Sequence, residues 1–241
     1  MKSATHAAAA ALAAFLIGPS HAADPSIATY RAVYAVEYKG KPLGTSEFSV
    51  QYDAERELYR FESRTVAKGF LKLVSPNPVI ERSEFRVDGG VIQPLEFWYE
   101  DGSRKGEDNL HVVFQWDAGI AIVDGEDSRR QLAVTHGVLD RGSLQVALMR
   151  DLARNGQAGS YQLADEDAVK PYEYASSGEH AIVTGLGELQ TLALVQQREG
   201  SSRSTWLWMA AAHDYVPARI EQRRDGEVQS AFTLQSYTRL D

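Results

Sequence analysis

The 241-residue chain contains no cysteine. That excludes disulfides, a thiolate nucleophile, thiolate metal sites and the acylated cysteine of a bacterial lipoprotein, so no lipid anchor is expected. Core burial must stabilise the fold unaided. Long apolar runs are scarce as well: the longest, Ala7 to Ile17, has eleven residues, short of the about 20 that a membrane-crossing helix needs. No transmembrane segment is therefore expected. Basic residues are outnumbered, with 25 Lys and Arg against 33 Asp and Glu and a formal net charge of −8. An acidic surface repels a phosphate backbone, and Arg129-Arg130 and Arg223-Arg224 are isolated doublets beside acids, so nucleic acid is not an expected partner.

Catalytic signatures are missing in the same way. There is no G-x-S-x-G elbow, no S-x-x-K and no H-E-x-x-H, the patterns that would place a nucleophile beside its base or two histidines on one metal. His111, His136, His180 and His213 are at least 25 residues apart. Asp165-Glu166-Asp167 and Glu126-Asp127 lack the alternating ligands and central glycine of a calcium loop and read as solvated turns. Gly185-Leu186-Gly187 begins like a dinucleotide fingerprint, but Gln190 stands where a third glycine belongs, so it reads as a turn or bulge between strands. No cofactor, no metal and no catalytic residue is expected.

What is present begins with the N-terminus. Lys2, the apolar run Ala7–Ile17, the helix breakers Gly18-Pro19 and then Ser20-His21-Ala22 follow the order of a secretory signal peptide. Cleavage after about Ala22 would leave 219 residues with 24 basic and 33 acidic side chains, a net charge of −9. The expected domain plan is a signal peptide over 1–22 and a single β-rich domain over 23–241. In a Gram-negative cell the soluble product would be periplasmic.

Alternation dominates the mature sequence. Tyr30, Ala32, Tyr34, Val36 and Tyr38 share one face, with Arg31, Glu37 and Lys39 near or on the other, as a half-buried strand requires. Gly40 to Gly44 turns the chain, and Ser46, Phe48, Val50 and Tyr52 resume the pattern, which predicts a β-hairpin. Further strands are predicted at 59–67, 79–87, 91–100, 110–116 and 120–123, then at 160–164, 169–176, 180–184, 187–198, 203–209, 216–223 and 228–240. Short connections predict antiparallel neighbours in a meander. Asp140 to Asn155 differs: Leu144, Ala147, Leu148 and Leu152 recur at helical spacing, Asp140 or Ser143 can cap the start, and Asn155-Gly156 can end it. The predicted fold is mainly β, a large curved antiparallel sheet or half-open β-barrel with one amphipathic helix packed on it.

Two apolar features point to binding. Phe70, Leu71, Leu73 and Val74 lie in the connection from Lys68 to Pro78, an unusual composition for a solvated loop. It reads as a flap over a cavity, a plug, a partner patch or a cover for the sheet end. Trp206 and Trp208 share one strand face, opposite Thr205, Leu207 and Met209; either the sheet is buried on both faces or a groove holds the tryptophans.

Trp206-Leu207, followed by Tyr215-Val216-Pro217-Ala218-Arg219-Ile220-Glu221, resembles the C-terminal signature of the exported family known as domain of unknown function 3108. Tyr34 to Tyr38 with Gly40 and Gly44, then Val66 to Phe70, then Gly185 to Thr191, are similar to that family in the same order. The resemblance spans roughly Tyr30 to Arg239. It implies a periplasmic location and an antiparallel, curved sheet, and no catalytic residues, since the family's activity is unassigned. In outline such sheets are similar to periplasmic lipoprotein carriers, an analogy of fold alone.

The reading that follows is a non-enzymatic exported protein binding a lipid or other amphiphile in the concavity of its sheet. Tyr34, Tyr38, Phe48, Tyr52, Phe61, Trp206 and Trp208 would line the site, with Phe70, Leu71, Leu73 and Val74 as flap. The alternative is an envelope-assembly module whose partner is an envelope protein and whose interior is fully packed.

Overall fold

The computed structural model describes residues 23–69, 72, 76–125, 128–198 and 200–240. Eight consecutive strands form an antiparallel meander: β1 (Tyr30–Tyr38), β2 (Lys41–Asp53), β3 (Leu58–Ala67), β4 (Val79–Asp88), β5 (Val91–Glu100), β6 (Leu110–Gln115), β7 (Ile120–Gly125) and β8 (Ser128–Ala133). The chain then runs through β9 (Val138–Leu139), the helix α1 (Arg141–Asn155), β10 (Ser160–Ala164) and β11 (Val169–Glu173). A second meander follows: β12 (Ala175–Thr184), β13 (Gly187–Gln197), β14 (Arg203–Ala210), β15 (Val216–Arg224) and β16 (Glu227–Arg239). β16 pairs antiparallel with β1, setting Arg239 opposite Tyr30 and joining the two meanders. The result is one 13-stranded antiparallel sheet, ordered 12-13-14-15-16-1-2-3-4-5-6-7-8, that does not close into a barrel.

Local chemistry makes the elements. Along β1 the residues of the Tyr30 face are buried as far as Val36. The β15–β16 hairpin turns on Asp225 and Gly226, both left-handed (φ 52° and 82°), the geometry that matches the strand twist and that Asp-Gly tolerates. Register shifts at Val33/Tyr34, Val36/Glu37, Glu84/Phe85, Trp208/Met209 and Gln222/Arg223 mark bulges or irregularities, which increase local twist and bend the sheet. α1 is closed at its start by a capping box. Asp140 accepts from the Ser143 backbone amide at 2.8 Å while the Ser143 hydroxyl accepts from the Asp140 amide at 3.0 Å. It ends at Gly156, left-handed at φ 71°, whose amide donates to the Leu152 carbonyl.

The helix packs its Leu144, Leu148 and Leu152 stripe on the sheet face that carries Tyr34, Phe48, Phe61 and Phe85. Its first turn approaches closely: a Cβ on Gly142 would stand 2.7 Å from both Phe61 Cδ1 and Ser83 Cβ. A separate cluster, built on Phe97, Val112, Phe114, Val123 and Val134, fills the β5–β8 end.

Three elements differ from the sequence expectation. The strand predicted over 169–176 divides at Tyr174, because Val169–Glu173 pairs with β10 whereas Ala175 begins pairing with β13. β8 and β9 were not anticipated, since Ser128–Ala133 is almost wholly exposed and β9 has only two residues. β9 also pairs in parallel with β10, so the pairing there is not a meander: α1 is the crossover between them. The signal-peptide reading over 1–22 lies outside the described residues.

Candidate ligand-binding cavity

Between α1 and the curved sheet lies a cavity of about 500 Å³. Phe48 of β2, Ser63 and Thr65 of β3, Val79 and Glu81 of β4 and Tyr99 of β5 form one wall. Leu207 and Met209 of β14, Ile220 of β15 and Phe232 of β16 extend the lining beyond β1, with the Phe232 ring centre 6.1 Å from that of Phe48. Leu144, Gln145 and Leu148 of the helix, with Leu163, Tyr172 and Tyr174 of β10, β11 and the β11–β12 link, also line it. The volume is that of a small-molecule site, and the lining is mixed, with Ser63, Thr65, Glu81, Arg141, Gln145, Asp165, Arg198, Thr205, Gln222 and Ser230 among the apolar residues.

The charged groups at the cavity form one network. Arg141, the first helical residue, stands 3.3 Å from Glu166, 3.6 Å from Glu81 and 3.8 Å from Asp165, and its guanidinium lies 5.5 Å from the centre of the Tyr99 ring. Asp165 also meets Lys170 at 2.9 Å and Arg198 at 3.5 Å. Burial pushes the Glu81 carboxyl up, with Arg141 pulling it partly back. Burial acts on Asp165 in the same sense, but hydrogen bonds from Lys170 and the Glu166 backbone hold it below the usual range. Burial raises Tyr172 and raises Tyr174 well above 10, so both hydroxyls stay neutral. The arrangement can hold an elongated apolar group against the leucines and phenylalanines while charges rim one side. Among the described residues no three His, Asp or Glu are placed to hold a metal.

Of the residues singled out from sequence, Phe48 lines the cavity. Tyr34 and Phe61 stand behind it, with ring centres 4.6 and 6.0 Å from that of Phe48. Tyr52 is remote from the cavity and pairs with Tyr59 at 4.8 Å near the β2–β3 turn. Tyr38 is 51% exposed at the end of β1. Phe70, Leu71, Leu73 and Val74 lie outside the described residues, although their flanking positions Thr65 and Val79 line the cavity. Trp206 and Trp208 are on the other face of β14 from Thr205, Leu207 and Met209, which line it. The two indoles stack at 5.8 Å, and the Arg223 guanidinium covers Trp206 at 4.6 Å. Trp208 is buried and Trp206 half-buried, and neither belongs to the cavity.

The sequence reading missed the helical contribution of Gln145 and Leu148 as lining, and the contribution of Leu207, Ile220 and Phe232. The alternation that set the tryptophans apart from Leu207 and Met209 carried that signal; which face turned inward was not in it.

A large antiparallel sheet that stays unclosed, with one helix packed on it, defines a half-barrel with an open cavity between helix and sheet. The sequence matches the family described as "Protein of unknown function (DUF3108)" over residues 33–232, and the chain belongs to that family. Among solved structures it is similar to a β-barrel-like protein of domain of unknown function DUF1849 from Brucella abortus. That match has 11% identity and a TM-score of 0.50, over 89% of this chain and 99% of that one. Weaker likenesses are to the MucA/MucB complex of Pseudomonas aeruginosa (9% identity, TM-score 0.37, 88% of this chain and 52% of that one) and to a lipoprotein described as putative from Parabacteroides distasonis (11%, 0.37, 89% and 97%). No curated protein matches the chain. At such identities the first likeness speaks to the fold alone.

Proposed function

We propose that the protein is a periplasmic, non-enzymatic carrier that holds a lipid-like amphiphile in the cavity between α1 and the sheet. The observation that carries this reading is the cavity itself: about 500 Å³ lined by Phe48, Leu148, Leu207, Met209, Ile220 and Phe232, with charged Arg141, Asp165 and Arg198 at one side. Micromolar affinity corresponds to about 8 kcal/mol. At about 0.8 kcal/mol per buried methylene, ten to twelve methylenes supply that gross amount, before the cost of association. An acyl chain of ordinary length meets the need. The signal-like order of residues 1–22 supports export, and no helix among the described residues is long and apolar enough to cross a membrane.

Native mass spectrometry with organic extraction, on the exported chain purified from periplasm without detergent, tests the reading. The expected result is a reproducible added mass that extracts as an amphiphile. A clean apo mass that persists when lipids are offered overturns it and favours the envelope-partner alternative.

A further inference from the structure

Beyond the apolar stretch of the cavity, the ends of β13, β14 and β15 bring arginines together. The antiparallel register sets Leu207 opposite Ile220, Thr205 opposite Gln222 and Arg203 opposite Arg224. Successive side chains alternate between faces, so these pairs share one face, the one that lines the cavity. Arg198 follows β13 one residue past the Gln197–Ser204 pair, which places it beside Arg203 in the same row. The row lies about 13 Å along the strands from Leu207 and Ile220.

Like charges directly opposite on paired strands repel, and little offsets them here. Among the described residues Arg203 makes no ion pair. Arg224 reaches only Asp225, at 3.9 Å with both side chains mostly exposed, and makes none with Glu227, its partner on β16. Arg198 reaches Asp165 at 3.5 Å, but that carboxylate is also held by Lys170 at 2.9 Å. Tyr38, Arg203, Thr205, Gln222 and Arg224 border an open pocket of about 380 Å³. Thr205 and Gln222 line the large cavity too, so the pocket continues the cavity outward and one molecule can occupy both. Arg203, Gln222 and Arg224 are exposed and within its reach. On its other flank Arg203 borders a depression that holds Glu166 and Asp167; their charge turns an anion towards the Arg224 side.

We propose that Arg203 and Arg224, flanked by Arg198, seat the anionic head of the carried amphiphile, a phosphate or a carboxylate, while its hydrocarbon chain lies along Leu207 and Ile220 in the cavity. The proposal rests on the carrier reading and specifies the ligand's head. A guanidinium offers paired N–H donors that match either anion, and an anion between two opposed arginines turns their repulsion into two attractions. A cationic head meets the same pair as repulsion, and a neutral head leaves it uncompensated.

The test is displacement of N-phenyl-1-naphthylamine from the exported chain, at low ionic strength, by decyl phosphate, decanoate, decan-1-ol and decyltrimethylammonium. The better of the two anions is expected to bind about tenfold more tightly than decan-1-ol, with the cation weakest, and which anion leads identifies the head as phosphate or carboxylate. In the Arg203→Gln/Arg224→Gln double variant the anion's advantage is expected to fall within roughly twofold, while decan-1-ol binding and the melting temperature hold. Arg31→Gln/Arg64→Gln removes the same charge from the opposite face of the sheet and is expected to keep the advantage. Decan-1-ol binding as tightly as both anions overturns the proposal. So does an anion advantage that survives the Arg203/Arg224 variant, or one lost equally in the Arg31/Arg64 variant, which would make it an effect of net charge. If the native protein takes up no dye, or none of the four amphiphiles displaces it, the carrier reading itself fails and the proposal with it.

Discussion

Asp140 carries a pH dependence of definite sign. Its carboxyl is 1% exposed, accepts from the Ser143 amide at 2.8 Å and from the Ser83 hydroxyl at 2.8 Å, and burial, partly offset by these bonds, pushes its pKa up from 3.8 to about 6. A folded-state pKa above the unfolded value means that the fold binds this proton more tightly. The associated stability is complete below about pH 4 and is lost as pH rises through about 6. Two pH units correspond to about 3 kcal/mol at most. Asp140→Asn retains a cap acceptor for Ser143, and Ser83 can turn its hydroxyl to accept from the new amide, so the variant removes the titration and little else. Urea unfolding of both proteins from pH 4 to 7.5 checks this. The native protein is expected to gain up to about 3 kcal/mol relative to the variant on going to the acid end, other carboxylates cancelling in the difference. A difference that stays flat across that range refutes the reasoning. Asp140→Ala, which also removes the cap and orphans the buried Ser83 hydroxyl, is expected to be roughly 2–4 kcal/mol less stable than Asp140→Asn at all pH values, since neither variant titrates there.

Glu84 has the opposite sign: its buried carboxylate meets Arg56 and Arg60 at 2.6 Å each, and the Arg56 hydrogen bond leads in holding its pKa below 4.5. Its contribution is present above 4.5 and lost as pH falls, so Glu84→Gln should show a shallower acid-side loss in the same titration, with a cost of about 1 kcal/mol at neutral pH because both arginines are half-exposed. Gly142→Ala should destabilise by about 1 kcal/mol despite the gain in helix propensity, since the new methyl meets Phe61 and Ser83 at 2.7 Å; a rise in melting temperature would show that the first turn can move away. Leu207 and Trp208 are sequence neighbours on opposite faces. Leu207→Trp should fill the cavity and abolish ligand uptake, whereas Trp208→Ala should cost roughly 3–5 kcal/mol and leave uptake intact, read by dye binding and chemical unfolding.

Much of the fold was legible because it rests on local signals. Alternation located β1 at Tyr30–Tyr38, Asp-Gly located the last hairpin, and the leucine spacing with Asp140 and Gly156 located the helix. The pairing of β16 with β1 was not legible, because it joins residues some 200 positions apart and no local pattern encodes it. The site suffered for the same reason. Periodicity says which residues share a face, so Tyr34, Phe48 and Phe61 were found together, but only the β16–β1 pairing brings Phe232 and Ile220 onto the same cavity. Tyr38 shares its face and alternation with Tyr34 yet sits beyond the end of the core at 51% exposure, a distinction that depends on where the neighbouring strands stop.

The cavity itself follows from a mismatch of dimensions. Fifteen residues make a helix of roughly 22 Å length and 10 Å diameter, while strands repeat every 4.8 Å or so, so one helix covers the width of about two strands. In this chain α1 is drawn to one side: its capping Asp140 is tied to Ser83 of β4, and Gly142 lets the first turn touch Phe61 of β3. The inner faces of β14, β15 and β16 are therefore left without a helical partner along Leu207, Ile220 and Phe232, and the gap is what the cavity occupies. The proposed carrier role would use such unfilled apolar surface. It is held open because the polar tie at Asp140 fixes where the helix sits, so the helix cannot slide across to close it.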